Sequence, residues 1–406
     1  MVNKLKDLFD SHRNILVINV MALIAMMGIG VITPILPLYG KMFTVSNTAI
    51  GFLITVFGLA RVIVDMPAGL MLDKWGRKGF LLGGLLTMSV SSLLCAMASS
   101  FWVLAFWRFI QGAGSAIYTT SAMTVVADLS NQKNRGQNMA LYQGSILLGT
   151  GFGPAIGGAT ADYLSSYRAP FVLFAVLAFI GAVWVWKLIP ETKRVNSYFN
   201  GSNKGKISVW ASLGNINLIM VSLINFNIFF ARAGIKFDLL PLAGVEKFSL
   251  SPTGIGFVLS VSALATVLVL PLAGWLSDRI GRKMLIVPSN IMAGLSMVIF
   301  AYCESYSLFL FGAIFYGVSV GLGGVIASAY VADVVPQRFY GTAMGFFRAL
   351  GDVGFVIAPV LLGFMLDRSG FKSAFLLSAF ATFAITAIFG FFTRGQEGQE
   401  ADGKSH

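Results

Sequence analysis

Gly69-Leu-Met-Leu-Asp73-Lys74-Trp-Gly76-Arg77-Lys78 is answered 205 residues later by Gly274-Trp-Leu-Ser-Asp278-Arg279-Ile-Gly281-Arg282-Lys283. Each stretch joins two apolar runs of roughly 20 residues, the length that crosses a hydrocarbon core of about 30 Å. The residue types suit such a junction. Glycine permits a tight turn, a carboxylate can face a helix N-terminus or an arginine, and the bases remain in water. The same shift carries Asp128 onto Asp333, Gly136 onto Gly341, Pro154 onto Pro359, Gly158 onto Gly363 and Asp162 onto Asp367. An internal duplication is the simple account, and it makes the chain two similar halves.

Working outward, 56% of the 406 residues are hydrophobic and 11% are charged, whereas a soluble domain carries about a quarter charged residues. Apolar segments near 14–39, 48–72, 79–98, 101–127, 137–162, 168–189, 213–240, 253–276, 284–303, 306–332, 341–366 and 371–393 predict an all-α membrane protein of twelve transmembrane helices. The first segment is too long for a signal-peptide core and reads as a retained helix. The polar run from Pro190 to Lys206 separates a six-helix half, 1–189, from a second one, 213–393, with a cytoplasmic linker at 190–212 and a tail at 394–406.

The net charge of +12 lies mostly in the short loops, which places both termini in the cytoplasm and gives no reason to invoke nucleic acid. Cys95 and Cys303 fall late in apolar segments and the only histidines, His12 and His406, lie in opposite tails. That leaves no disulfide framework, metal cluster or catalytic triad. With no nucleophile beside a base and no nucleotide-binding glycine loop, neither an enzyme, a cofactor nor ATP drive is expected.

Both loops quoted above resemble the signature loop of the major facilitator superfamily, with Lys74 in place of the usual arginine. The resemblance implies two pseudo-symmetric six-helix halves and transport by alternating access around a midplane site. In the fifth span, Gly149-Thr-Gly-Phe-Gly153-Pro154-Ala-Ile-Gly157-Gly158 is similar to the glycine-proline signature of the bacterial drug:proton antiporter branch. Small residues there let helices approach closely, and proline relaxes the backbone ladder; the alternative is a packing stripe with no bearing on direction. Phe106-Trp-Arg108-Phe-Ile-Gln111-Gly112-Ala-Gly114 resembles a second signature of that branch, and Gly28-Ile-Gly30-Val-Ile-Thr-Pro34-Ile-Leu-Pro37 looks like the start of such exporters.

An ionisable side chain at bilayer depth costs roughly 2.5–3.5 kcal/mol on insertion scales and needs a partner or a task. Arg61 and Asp65 share one face of the second span, as Arg348 and Asp352 do of the eleventh. Each pair can close within its own helix. The family's arrangement, in which these helices face each other, offers crossed bridges instead. At about 1.5 Å per residue Asp65 lies about 12 Å from Asp73 and Arg348 about 10 Å from Gly341, while Arg61 and Asp352 lie about 18 and 16 Å deep. Protonating either carboxylate would loosen such a latch. Arg108 is a candidate for an anionic substrate group or a proton-coupling carboxylate, or else a cap on backbone carbonyls or Gln111.

The family's cavity-lining spans, the first, fourth, seventh and tenth, offer Met26, Gln111, Ser115, Tyr118, Asn225, Phe229, Arg232, Phe315 and Tyr316. Methionine and aromatic side chains adapt to amphipathic organic molecules. The first span lacks the acidic residue that amine-transporting relatives place there. Proton-coupled efflux of small amphipathic compounds is therefore the leading expectation, by a monomer in a prokaryotic inner membrane. A uniporter, importer or exchanger of an organic anion or metabolite is the alternative, and a non-transporting receptor the remote one.

Overall fold

Four serines open helices in register with the duplication. Ser46 Oγ accepts from Ala49 N–H at 3.2 Å, and 205 residues on Ser251 Oγ accepts from Gly254 N–H at 3.3 Å. Ser100 and Ser305, also 205 apart, accept from Val103 and Leu308 N–H at 3.4 and 3.3 Å. Each satisfies a donor that the first helical turn leaves open, worth about 1 kcal/mol.

The computed structural model describes residues 2–130, 134–191, 215–336 and 339–393. Most of the 190–212 linker and the 394–406 tail lie outside the described residues. The elements are α1 (Val2–Ile32), α2 (Leu36–Lys41), α3 (Asn47–Trp75), α4 (Arg77–Ala96), α5 (Phe101–Leu129), α6 (Arg135–Tyr163) and α7 (Ala169–Leu188). After the linker come α8 (Ile216–Phe230), a π-helical stretch π1 (Ala231–Leu239), α9 (Leu240–Phe248), α10 (Pro252–Ile280), α11 (Arg282–Tyr302), α12 (Tyr306–Val334) and α13 (Tyr340–Phe392). The described residues contain no strand. Nine described helical stretches are long and apolar enough to cross a membrane. One of them, Thr342–Phe392, has length for two crossings. It covers the two spans expected at 341–366 and 371–393, and the helix turns at Gly370 (φ 76°) instead of leaving a loop.

The chain divides into two compact units, Met1–Gly201 with Gly244–Ser260, and Ser202–Ala243 with Val261–His406. In the first, α1 lies along α6, and α3 and α4 lie along α5. Glycines set the α1–α6 spacing. A Cβ at Gly153 would stand 2.6 Å from Gly30 Cα, and one at Gly149 2.8 Å from Met27 N. In the second unit α8 lies along α13, and α11 packs on α12 and α13 around Val221, Ile224, Ile286, Val331 and Phe389.

The corresponding helices of the two halves are irregular at the same level. A shift of 204 aligns Gly30, Pro37 and Gly40 with Gly234, Pro241 and Gly244. In the first half the helix breaks after Ile32, next to Pro34, and resumes at Leu36. In the second it widens into π1, and Asp238 stands where the first half has Pro34. A π-helical turn accommodates an extra residue without ending the helix.

Candidate functional site

The two signature loops have the same geometry. Gly76 and Gly281 adopt φ of 96° and 87°, a region that any Cβ disfavours, so each loop turns within one residue. Arg77 Nε then reaches Asp128 Oδ2 at 3.0 Å, and the 205-shifted pair, Arg282 and Asp333, also stands at 3.0 Å. Arg77 donates further to Leu72 O at 3.3 Å, and Arg282 to Ala329 O. Each loop is thereby tied to the C-terminal end of a helix in its own half, α5 in the first and α12 in the second. Glu191 accepts from Arg77 N–H at 2.8 Å and Lys78 N–H at 3.3 Å, which caps α4. Lys283 reaches Thr393 O, at the end of α13. Gly69 and Gly274 lie within α3 and α10, and Asp278 is exposed. The side chain of Asp73 lies outside the described residues.

On α6, Gly149, Gly153 and Gly157 all meet the α1 backbone, from Leu23 to Val31. Gly158 faces Pro252 and Thr253 at the start of α10, where Asp162 Oδ2 accepts from Thr253 N–H at 2.8 Å. Ser260 Oγ accepts from Ala155 N–H at 3.0 Å, beside Pro154. A proline-bearing helix is thus gripped on two sides, by α1 and by the first turns of α10.

Arg108, Gln111, Ser115 and Tyr118 form one stripe along α5, all 6% exposed or less. Arg108 lies over the Phe57 ring at 4.5 Å, donates to Leu53 O at 3.4 Å and pairs with Gln111 Oε1. Gln111 Nε2, Ser115 Oγ and Tyr118 OH have no hydrogen-bond partner, nor has the buried Tyr142 OH. Asp65 accepts from Thr120 Oγ1 at 3.1 Å. Among the described residues no ion pair joins Arg61 to Asp65. Arg61 and Asp352 are half-buried, while Arg348 is exposed.

Of the remaining cavity candidates, Met26 is buried at the α1–α6 seam. Asn225 Nδ2 donates to Phe347 O at 2.8 Å, and Phe229 packs with it against Gly351. Arg232 lies 5.6 Å over the Phe237 ring, and Phe315 stacks on Phe311 at 5.8 Å. Tyr316 is buried and lines a cavity of about 20 Å³ with Asn227, Ser289, Asn290 and Ser319, room for about one water molecule. Asn227 is a centre that the sequence reading passed over: its Nδ2 donates to Asn290 Oδ1 at 3.3 Å and its Oδ1 accepts from Thr382 at 3.0 Å. Asparagines inside apolar runs were the available signal. Glu191, at the edge of the linker, gave none.

Duplicated halves of membrane-length helices, loops tied down by arginine, and polar groups gathered inside each half define a multi-pass membrane carrier. The sequence profile of the Major Facilitator Superfamily matches residues 18–249 and 239–405, and the chain belongs to that family of transporters. It is 26% identical over 385 residues to an uncharacterized transporter of the same type from Methanocaldococcus jannaschii, covering 93% of this chain and 97% of that one. With multidrug resistance protein 2 of Bacillus subtilis it shares 25% identity over 348 residues, 85% and 86% of the two chains. Its fold resembles the crystal structure of a bacterial homolog of the human lysosomal transporter Spinster, with a TM-score of 0.74 at 16% identity over 92% and 93% of the chains. The protein is therefore an integral membrane transporter and not an enzyme.

Proposed function

We propose that the protein exports small amphipathic organic compounds in exchange for protons, by alternating access, with twelve helices crossing a prokaryotic inner membrane and both termini inside. The observation that carries this reading is the α6 seam. Gly149, Gly153 and Gly157, the residues that resemble the antiporter signature, are the ones in backbone contact with α1, and Pro154 sits in the same seam. The multidrug resistance protein among the relatives supports an amphipathic substrate. The unpartnered Gln111, Ser115 and Tyr118 groups offer polar contacts, and Met26, Phe229, Phe315 and Tyr316 offer adaptable surface.

The crossed bridges Asp65–Arg348 and Arg61–Asp352 belong to this proposal as the latch of one state, loosened by protonation. Charge reversal of Asp65 and Arg348 together is expected to restore transport that each single reversal removes; failure of that rescue refutes the latch. An organic-anion exchanger is the second reading, favoured by Arg108 and Arg232 and by the absence of an acidic residue from the first span, 14–39. Protein in liposomes with an internal pH dye separates the two. Proton movement on addition of amphipathic cations or neutral drugs supports antiport, and passage of organic anions without it supports the exchanger.

A further inference from the structure

Asp238 is an ionisable group that neither the loops nor the α5 stripe employs. Its side chain is 0% exposed, and neither Oδ1 nor Oδ2 has a hydrogen-bond partner. It stands near the end of π1, one turn beyond Gly234, whose Cα faces Ala358 and Leu362 of α13. A bare carboxylate in such a place, with no donor and no cation bound to it, costs several kcal/mol; a neutral carboxylic acid costs far less.

The charged groups around it do not change that balance. On π1 itself, Arg232 lies over the Phe237 ring, and Lys236 is half-buried without an ion pair to Asp238. On α13, Asp367 is exposed, Arg368 lies over the Phe364 ring and Lys372 over the Tyr302 ring, and none of them hydrogen-bonds Asp238. The other element packed on π1, α8, contains no ionisable side chain.

We propose that Asp238 is a proton-binding site of the second unit: it carries a proton as a neutral acid in the conformation described, and gives that proton to water when π1 repacks and its carboxyl is wetted. The proposal rests on the antiport reading and specifies which acid moves the proton. Only the O–H bond breaks and re-forms, with water as acceptor and donor. The first half has no counterpart, because the aligned position is Pro34. Asp65 differs in kind, since its carboxylate already has a donor in Thr120.

The test uses the full chain in liposomes. Infrared spectra near neutral pH are expected to show a protonated-carboxyl carbonyl band that Asp238→Asn lacks and Asp238→Glu retains at a shifted position. A band unchanged in Asp238→Asn overturns the proposal, and so does its absence from a folded Asp238→Glu. Ethidium is the transport probe. Movement of the dye driven by a pH gradient is expected to be lost in Asp238→Asn, while dye exchange at equal pH persists. Gradient-driven movement surviving in Asp238→Asn refutes this site and leaves the antiport reading intact. Dye movement by the wild type with no proton flux refutes the antiport reading, and the proposal with it.

Discussion

A methyl group at Gly153 tests the seam on which the α1–α6 pair is built. The added Cβ would lie 2.6 Å from Gly30 Cα and 2.8 Å from Gly30 C, where ordinary contact begins at 3.4 Å. Both neighbours are backbone, so no rotamer change relieves them, and α1 must retreat by about 0.8 Å along a close-packed face. Overpacking of this kind costs about 1–3 kcal/mol, against which the better helix propensity of alanine returns up to about 1 kcal/mol. Gly144, on the same helix with nothing within 4 Å of a built Cβ, isolates the propensity effect. Gly144→Ala is expected to raise the unfolding midpoint of detergent-purified protein slightly, and Gly153→Ala to lower it and to reduce transport. The reasoning is refuted if Gly153→Ala unfolds at or above the midpoint of Gly144→Ala with normal transport.

Glu191→Ala should remove about 1 kcal/mol from the start of α4 and speed hydrogen exchange at the Arg77 and Lys78 amides by roughly fivefold, while amides later in α4 stay unchanged. Gly281→Ala must hold φ near 87° and should destabilise by about 1–2 kcal/mol, read as a lowered unfolding midpoint. Gly76→Ala should cost more, because its Cβ would also meet Glu191 Oε2 at 2.7 Å. A double-mutant cycle on Arg77 and Asp128 should return a coupling of about 1–2 kcal/mol, larger than the same cycle on the more exposed Arg282 and Asp333.

The duplication was legible because glycine, proline and carboxylate leave marks that hydrophobic drift does not erase. Gly76 and Gly281 could be read as turns, and both have positive φ. The partners of the loop arginines were half legible: Asp128 and Asp333 appeared as a shifted pair, but nothing in the spacing said they would meet Arg77 and Arg282. Hydropathy could not reveal π1, since a change from one helical bonding pattern to another leaves composition untouched. The enclosure of Asp238 was hidden for the same reason, since it depends on how α13 lies against π1. Arg108 shows a different limit. Spacing alone named only Gln111 among its protein partners, and only the packing of α3 on α5 decided that it would also face Phe57 and Leu53 O.

The arginine staples have a mechanical consequence. Arg77–Asp128 lies wholly inside one unit and Arg282–Asp333 wholly inside the other. A motion that shifts either unit as a block stretches neither staple. They act as internal braces, fixing which helices travel together while setting no preference for where the travel ends. Weakening one should make its half softer and slower to fold without by itself biasing the resting state, and that separates these arginines from any residue that serves as a latch.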